Sequence, residues 1–207
     1  MKNTTKNILT WIHDNLGEIH REVTKDFIYT ESWLAGIVCR EVGFLIPRKV
    51  SAGQSFEYIA AHMTGDSGHG RSFYQVDDRS YPDFVSSTPL SNVKAYAKKA
   101  VECLEEKRKY LVSKGWTEDK LGDELIEGAI TAAYNCGQGN VHKALSRGFD
   151  VDHYTFTQDY SKSVMEYRYL YFDIFAPEDT ALTDIAVPVP EIADKEVPEN
   201  KDNVEIN

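Results

Sequence analysis

The chain has 207 residues, 42% of them hydrophobic and 12% aromatic, enough for one good core and a single domain by default. The formal net charge is −10, and an acidic chain without a basic stripe argues against nucleic-acid binding. No apolar run approaches the roughly 18 residues of a membrane span, and Met1 to Asp14 holds no apolar core of a secretory signal.

Charge is unevenly spread. From Pro177 to Asn207 there are nine acidic residues and two lysines, a net of −7, so residues 1–176 carry only −3. That last stretch also holds four of the seven prolines and shows no helical or strand period. It reads as an acidic, flexible tail (177–207) on a folded domain (1–176). The three cysteines, Cys39, Cys103 and Cys136, are too sparse for a secreted disulfide framework, and the chain suits a reducing compartment.

In chain order, Lys6 to Lys25 carries Ile8, Leu9, Ile12, Leu16, Ile19 and Val23, the series of an amphipathic packing helix. A second helix is expected from Glu31 to Val42, with Thr30 as N-cap and Gly43 as stop. Residues 43–63 are broken by Gly43, Pro47 and Gly53, with a short helix around Phe56, Ile59, Ala60 and Met63. Gly65, Gly68 and Gly70 mark a tight loop, and Phe73 to Asp77 reads as a short strand. A long helix from Asn92 to Ser113 ends at Gly115. Another runs from Leu121 to Ala133 into the glycine-punctuated Tyr134-Asn135-Cys136-Gly137-Gln138-Gly139-Asn140. A short helix covers Val141 to Ser146, and a tyrosine-rich one covers Asp159 to Phe175. Many helices and one small β region make an α+β, mostly α, domain.

The second helix contains the first chemical signal. Leu34, Ile37 and Val38 lie on one helical face, and Glu41 continues that series at the C-terminal end. Burial and the negative helix end both disfavour a charged carboxylate there and raise its pKa. A carboxyl kept protonated near neutral pH is what a general acid requires. The plainer reading is a Glu paired with Arg40 or another base. Asp66, in the glycine-rich loop, is either a turn-capping aspartate or a reactive carboxylate. Asp77 is either a surface strand end beside Asp78 or a second such carboxylate. Gln75, Tyr134, Asn135 and Tyr160 are candidates for contacts with a polar ligand, with ordinary packing or capping as their alternatives. His62 and His69 lie near Asp66, but no His-x-x-x-His or Cys-x-x-Cys spacing suggests a metal site.

Four segments, in order, resemble the goose-type lysozymes and related lytic transglycosylases, glycoside hydrolases of lysozyme-like fold. Cys39-Arg40-Glu41-Val42-Gly43 is similar to the family's Ser-Arg-Glu-Ser segment around its acid. Gly65-Asp66-Ser67-Gly68 through Gln75-Val76-Asp77 resembles its Gly-Asp-x-Gly…Gly-Leu-Met-Gln-Val-Asp loop and strand, with the same gap between the aspartates. Ala133-Tyr134-Asn135-Cys136-Gly137-Gln138-Gly139-Asn140-Val141 resembles Ala-Tyr-Asn-Ala-Gly-x-Gly-Asn-Val, and Asp159-Tyr160 opens the last helix where the family has a tyrosine lining the sugar cleft. The resemblance covers roughly residues 5–175. Ser72 and Tyr74 stand where the family prefers Gly and Met. Cys136 replaces Ala, and Val42 replaces a polar Ser that often supports the sugar in transglycosylases.

The resemblance implies an inverting muramidase that cleaves the β-1,4 bond between N-acetylmuramic acid and N-acetylglucosamine in peptidoglycan. Glu41 would be its general acid, and Asp66 and Asp77 would share the positioning or deprotonation of water. Gln75, Tyr134, Asn135 and Tyr160 would contact the sugars. No cofactor or metal is implied. The alternatives are a lytic transglycosylase giving 1,6-anhydro-muramic products, and a catalytically silent peptidoglycan-binding module. The expected partners are glycan strands and an immunity or inhibitor protein, with the chain a monomer. Without a visible signal, it would be made in the cytoplasm and reach the wall after release or delivery, as a phage endolysin, an effector or a leaderless enzyme.

Overall fold

The computed structural model of the chain describes residues 2–175; the acidic stretch from 177 to 207 lies outside them. Helix α1 spans Lys2–Thr24, α2 Glu31–Val42, α3 Ile46–Ser51 and α4 Phe56–Ala61. Three two-residue strands follow: β1 Thr64–Gly65, β2 Gly70–Arg71 and β3 Val76–Asp77. Then come α5 Pro82–Ser87, α6 Val93–Ser113, α7 Glu118–Leu121, α8 Asp123–Cys136, α9 Gln138–Ser146 and α10 Tyr160–Phe175. The chain is mostly helical, with one small antiparallel sheet in the order β1-β2-β3.

Helix α2 lies at the centre. Every side chain from Ser32 to Cys39 is buried, the pattern of a helix covered on all sides rather than laid on a surface. Helix α1 covers it with Leu9, Ile12, Leu16 and Val23, and α10 packs closely against it. Gly36 permits that approach: a Cβ there would lie 2.6 Å from the carbonyl oxygen of Val164 in α10. Helix α8 presents Ala129, Ala132 and Ala133 to the core, and Trp33 Nε1 of α2 donates to Thr131 Oγ1 at 3.1 Å. Thr30 caps α2 as expected, accepting from the Trp33 amide. Gly43 follows the last residue of α2 at φ −55°, so the helix stops there without a left-handed glycine.

Three expectations change. The stretch from Phe73 to Asp77 is not a strand throughout, because only Val76 and Asp77 pair with β2. Phe73 and Tyr74 are successive residues and both fully buried, which the alternating faces of a strand at the surface do not allow. The chain turns instead, with Ser72 at φ 64° and Gln75 at φ 50°. Phe73 then packs on Phe56 and Trp11, while Tyr74 donates or accepts a 2.9 Å hydrogen bond with His20 Nε2. Burial, and the charge of Arg21, push the His20 pKa down to about 3, so the imidazole is neutral in this tie between α1 and the sheet loop. Helices α3 and α5 were not expected; Pro47 read as a breaker, and Pro82 opens a stretch to which no element was assigned. Both sit in the first turn, where a missing N–H costs nothing. Finally, the helix expected from Leu121 to Ala133 is α8, which starts two residues later at Asp123, and Leu121 instead ends the short α7 before Gly122.

Candidate active site

A cleft of about 880 Å³ opens where the end of α2, the end of α8 and the small sheet meet. Glu41, Asp66, Gln75, Asp77, Tyr134 and Asn135 all line it. Six of the seven residues singled out from the sequence therefore share one concavity.

Glu41 comes from the last turn of α2. The side chain is half-buried at the cleft wall, and burial raises its pKa to about 7. A hydrogen bond from Tyr160 and the charge of Arg40 pull the other way without restoring an ordinary value. Tyr160 Oη donates to Glu41 Oε1 at 2.5 Å. The Tyr160 side chain is only 2% exposed and does not reach the cleft surface. It stands behind the acid and fixes its orientation, instead of lining the cleft.

That placement depends on Asp152. Its carboxyl is completely buried. It accepts from the Ser161 amide (2.9 Å), Ser161 Oγ (2.7 Å), the Lys162 amide (3.3 Å) and Thr155 Oγ1 (3.2 Å). Two of these are amides in the first turn of α10, which lack partners within the helix. Asp152 therefore caps α10 from outside the helix, at the turn that carries Tyr160. Arg40, next to Glu41, fastens the same corner, with Nη2 donating to Asp159 Oδ1 and to Thr157 Oγ1, both at 2.8 Å.

The sheet side is built differently. Asp66 follows β1 at φ 45°, and its carboxylate takes a 2.7 Å bond from Arg79 Nη2. Asp77, in β3, accepts from Arg79 Nε at 2.9 Å, from the Arg79 amide at 3.1 Å and from Ser80 Oγ at 3.0 Å. Partial burial works against its charge, but these donors hold its pKa below the ordinary aspartate value. One guanidinium thus bridges both aspartates. Asp78 is turned to other work, accepting from Arg71 Nη2 and pairing with His69 Nδ1. Of the two consecutive aspartates, only Asp77 lines the cleft.

Gln75 is part of this frame. Its Nε2 donates to the Ser72 carbonyl at 2.7 Å. Its Oε1 lies where side chains on Gly65 and Gly70 would be, 2.1 and 2.2 Å from the Cβ positions. The two glycines are therefore required by Gln75, and the amide is half committed before any ligand arrives. Tyr134 Oη donates to the Tyr74 carbonyl at 2.7 Å. Asn135 Oδ1 accepts from the Phe156 amide at 3.1 Å.

Arg79, Asp152 and Phe156 were not anticipated. Arg79 carried a weak signal, the first base after two aspartates. Asp152 and Phe156 carried none, because their partners lie in other elements. Among the described residues no group of three or more His, Cys, Asp or Glu is placed to hold a metal ion. No helix among them is long and apolar enough to cross a membrane. Neither the protein-family models nor the curated proteins contain a match to this chain.

Proposed function

We propose that the protein is a muramidase of lysozyme-like fold, hydrolysing the β-1,4 bond between N-acetylmuramic acid and N-acetylglucosamine with inversion. The observation that carries this reading is a pair of carboxyls in one cleft with pKa values pushed in opposite directions, Glu41 up to about 7 and Asp77 down. Such divergence assigns an acid and a base. The family resemblance of the four sequence segments points to the same chemistry.

Glu41, protonated, delivers its proton to the glycosidic oxygen as the bond breaks. Asp77, ionised, takes a proton from water entering on the other face of the sugar, and Asp66 helps orient that water. Arg79 keeps both aspartates in place. Intramolecular attack by the muramic 6-hydroxyl needs no water-activating pair, and Val42 stands where transglycosylases often carry a polar residue. Both features favour hydrolysis over the transglycosylase route.

The test is mass spectrometry of muropeptides released from purified peptidoglycan by the wild type and by Glu41→Gln. Reducing-end products that vanish in the variant support the muramidase. Anhydro-muramic products that depend on Glu41 replace hydrolysis by transglycosylation. Binding of sacculi without turnover by either protein replaces it by a silent binding module.

A further inference from the structure

Phe156 is 79% exposed, the most solvent-exposed of the large hydrophobic side chains among the described residues. It lines the cleft that contains Glu41. An isolated exposed apolar residue needs no explanation, but this one is held in place at both ends. Its amide donates to Asn135 Oδ1. The hydroxyl of Thr157, the next residue, is held by Arg40 Nη2 at 2.8 Å and lies 2.5 Å from both the Phe156 carbonyl and Asp159 Oδ1, which share its one proton. The next two residues, Thr157 at φ 66° and Gln158 at φ 56°, are in the left-handed region. A β-branched residue there is strained, and such strain persists only where the surroundings enforce it. The chain thus folds back sharply just after Phe156, which leaves the ring at the cleft. Its two anchors, Asn135 and Arg40, are the neighbours of Tyr134 and Glu41. The backbone that carries the ring is therefore anchored to residues flanking Tyr134 and Glu41. Phe44, three residues past Glu41 and 63% exposed, lines the same cleft.

We infer that Phe156, with Phe44, forms a stacking platform for a pyranose ring of the glycan strand next to the scissile bond. This rests on the muramidase reading and extends it to a residue outside the acid and base machinery. A pyranose has an apolar C–H face and a polar rim. A phenyl ring without a hydroxyl suits the face, while the polar cleft residues suit the rim. An extended strand that leaves the acid meets the platform because both belong to one continuous cleft. The platform recognises ring shape rather than charge, so it serves acetylated sugars irrespective of the peptide they carry.

The experiment measures calorimetric affinity of full-length protein for the hexasaccharide of N-acetylglucosamine in a Glu41→Gln background, which prevents turnover. Phe156→Ala is expected to weaken binding about tenfold, within the range of aromatic stacking losses. Phe156→Tyr should retain affinity, and Phe156→Leu should not. Phe149→Ala, an exposed aromatic outside the cleft lining, should leave affinity unchanged. Melting curves matching the Glu41→Gln parent show that a loss is not a folding defect. Equal affinity of Phe156→Ala and the parent overturns the platform while leaving the muramidase reading intact, as does equal affinity of the Leu and Tyr variants. A parent that binds neither the hexasaccharide nor purified sacculi overturns both.

Discussion

The two sides of the cleft solve opposite problems. On the helical side, Glu41 is half-buried and backed by a buried tyrosine, and its pKa rises to about 7. On the sheet side, Asp66 is 63% exposed, and both aspartates are tied to one arginine that is itself in solvent. Glu41 is tuned by removing water, and Asp77 by supplying donors. Tuning by burial needs a rigid, distant scaffold. Tuning by donors needs only a short loop, here one with Asp66, Ser67, Ser72 and Gln75 all at positive φ. Stability and catalysis should therefore separate differently on the two sides.

The sharpest break is at the acid. Glu41→Gln should lower turnover of peptidoglycan about a thousandfold, within the range for loss of a general acid, as read from release of reducing ends. The same variant should be more stable than wild type at alkaline pH. Because the folded pKa of about 7 exceeds the ordinary 4.5, the native state holds more protons between these values. Wild-type stability therefore falls as pH rises through that window. Glutamine has no such dependence, so the gain is absent below pH 4.5 and reaches at most about 3 kcal/mol above pH 7, measured by urea midpoints at both ends.

Asp152→Ala probes the scaffold behind the acid. It leaves two helix amides and a hydroxyl in the interior without their acceptor, and should cost about 3 kcal/mol in urea denaturation. A cost below about 1 kcal/mol, an ordinary surface value, would mean that α10 is held without it.

Tyr160→Phe separates orientation from burial. It removes a donor that favours the charged carboxylate, so the Glu41 pKa should rise further. Activity requires the protonated form, hence the alkaline limb of the pH–rate profile should move to higher pH. A shift to lower pH would refute the assignment of Tyr160 as a donor to the ionised acid. The smallest effect on stability belongs to the sheet side. Arg79→Ala breaks exposed ion pairs and should change unfolding free energy by less than about 1 kcal/mol. It should nonetheless raise the Asp77 pKa and move the acid limb upward, since activity requires that carboxylate ionised. An unmoved acid limb would count against Asp77 as the base.

Glu41 and the order of helices were legible because both are local. The spacing of Leu34, Ile37, Val38 and Glu41 is a property of one helix. The aspartate loop was legible from glycine placement, although the reason for Gly65 and Gly70, the Gln75 side chain laid across them, was not. What stayed hidden was every relation between elements. Asp152 looks like a loop aspartate until α10 is placed over it. Tyr160 reads as a cleft residue by resemblance, yet the packing of α10 on α2 puts it behind the acid. Phe73 to Asp77 reads as one short strand after the glycine loop, and the simultaneous burial of Phe73 and Tyr74 breaks it.

The Glu41–Tyr160 bond spans 119 positions of the chain. During synthesis, at about 5–20 residues per second, α2 emerges well before α10, and for several seconds Glu41 stands beside an unfilled groove. Until α10 docks, its carboxyl lacks the tyrosine hydroxyl that holds it in the folded protein. On the muramidase reading, a fragment ending before Tyr160 is expected to release no reducing ends from peptidoglycan, however complete its cleft residues. The setting of this carboxyl is thus a property that arrives with the docking of one late helix.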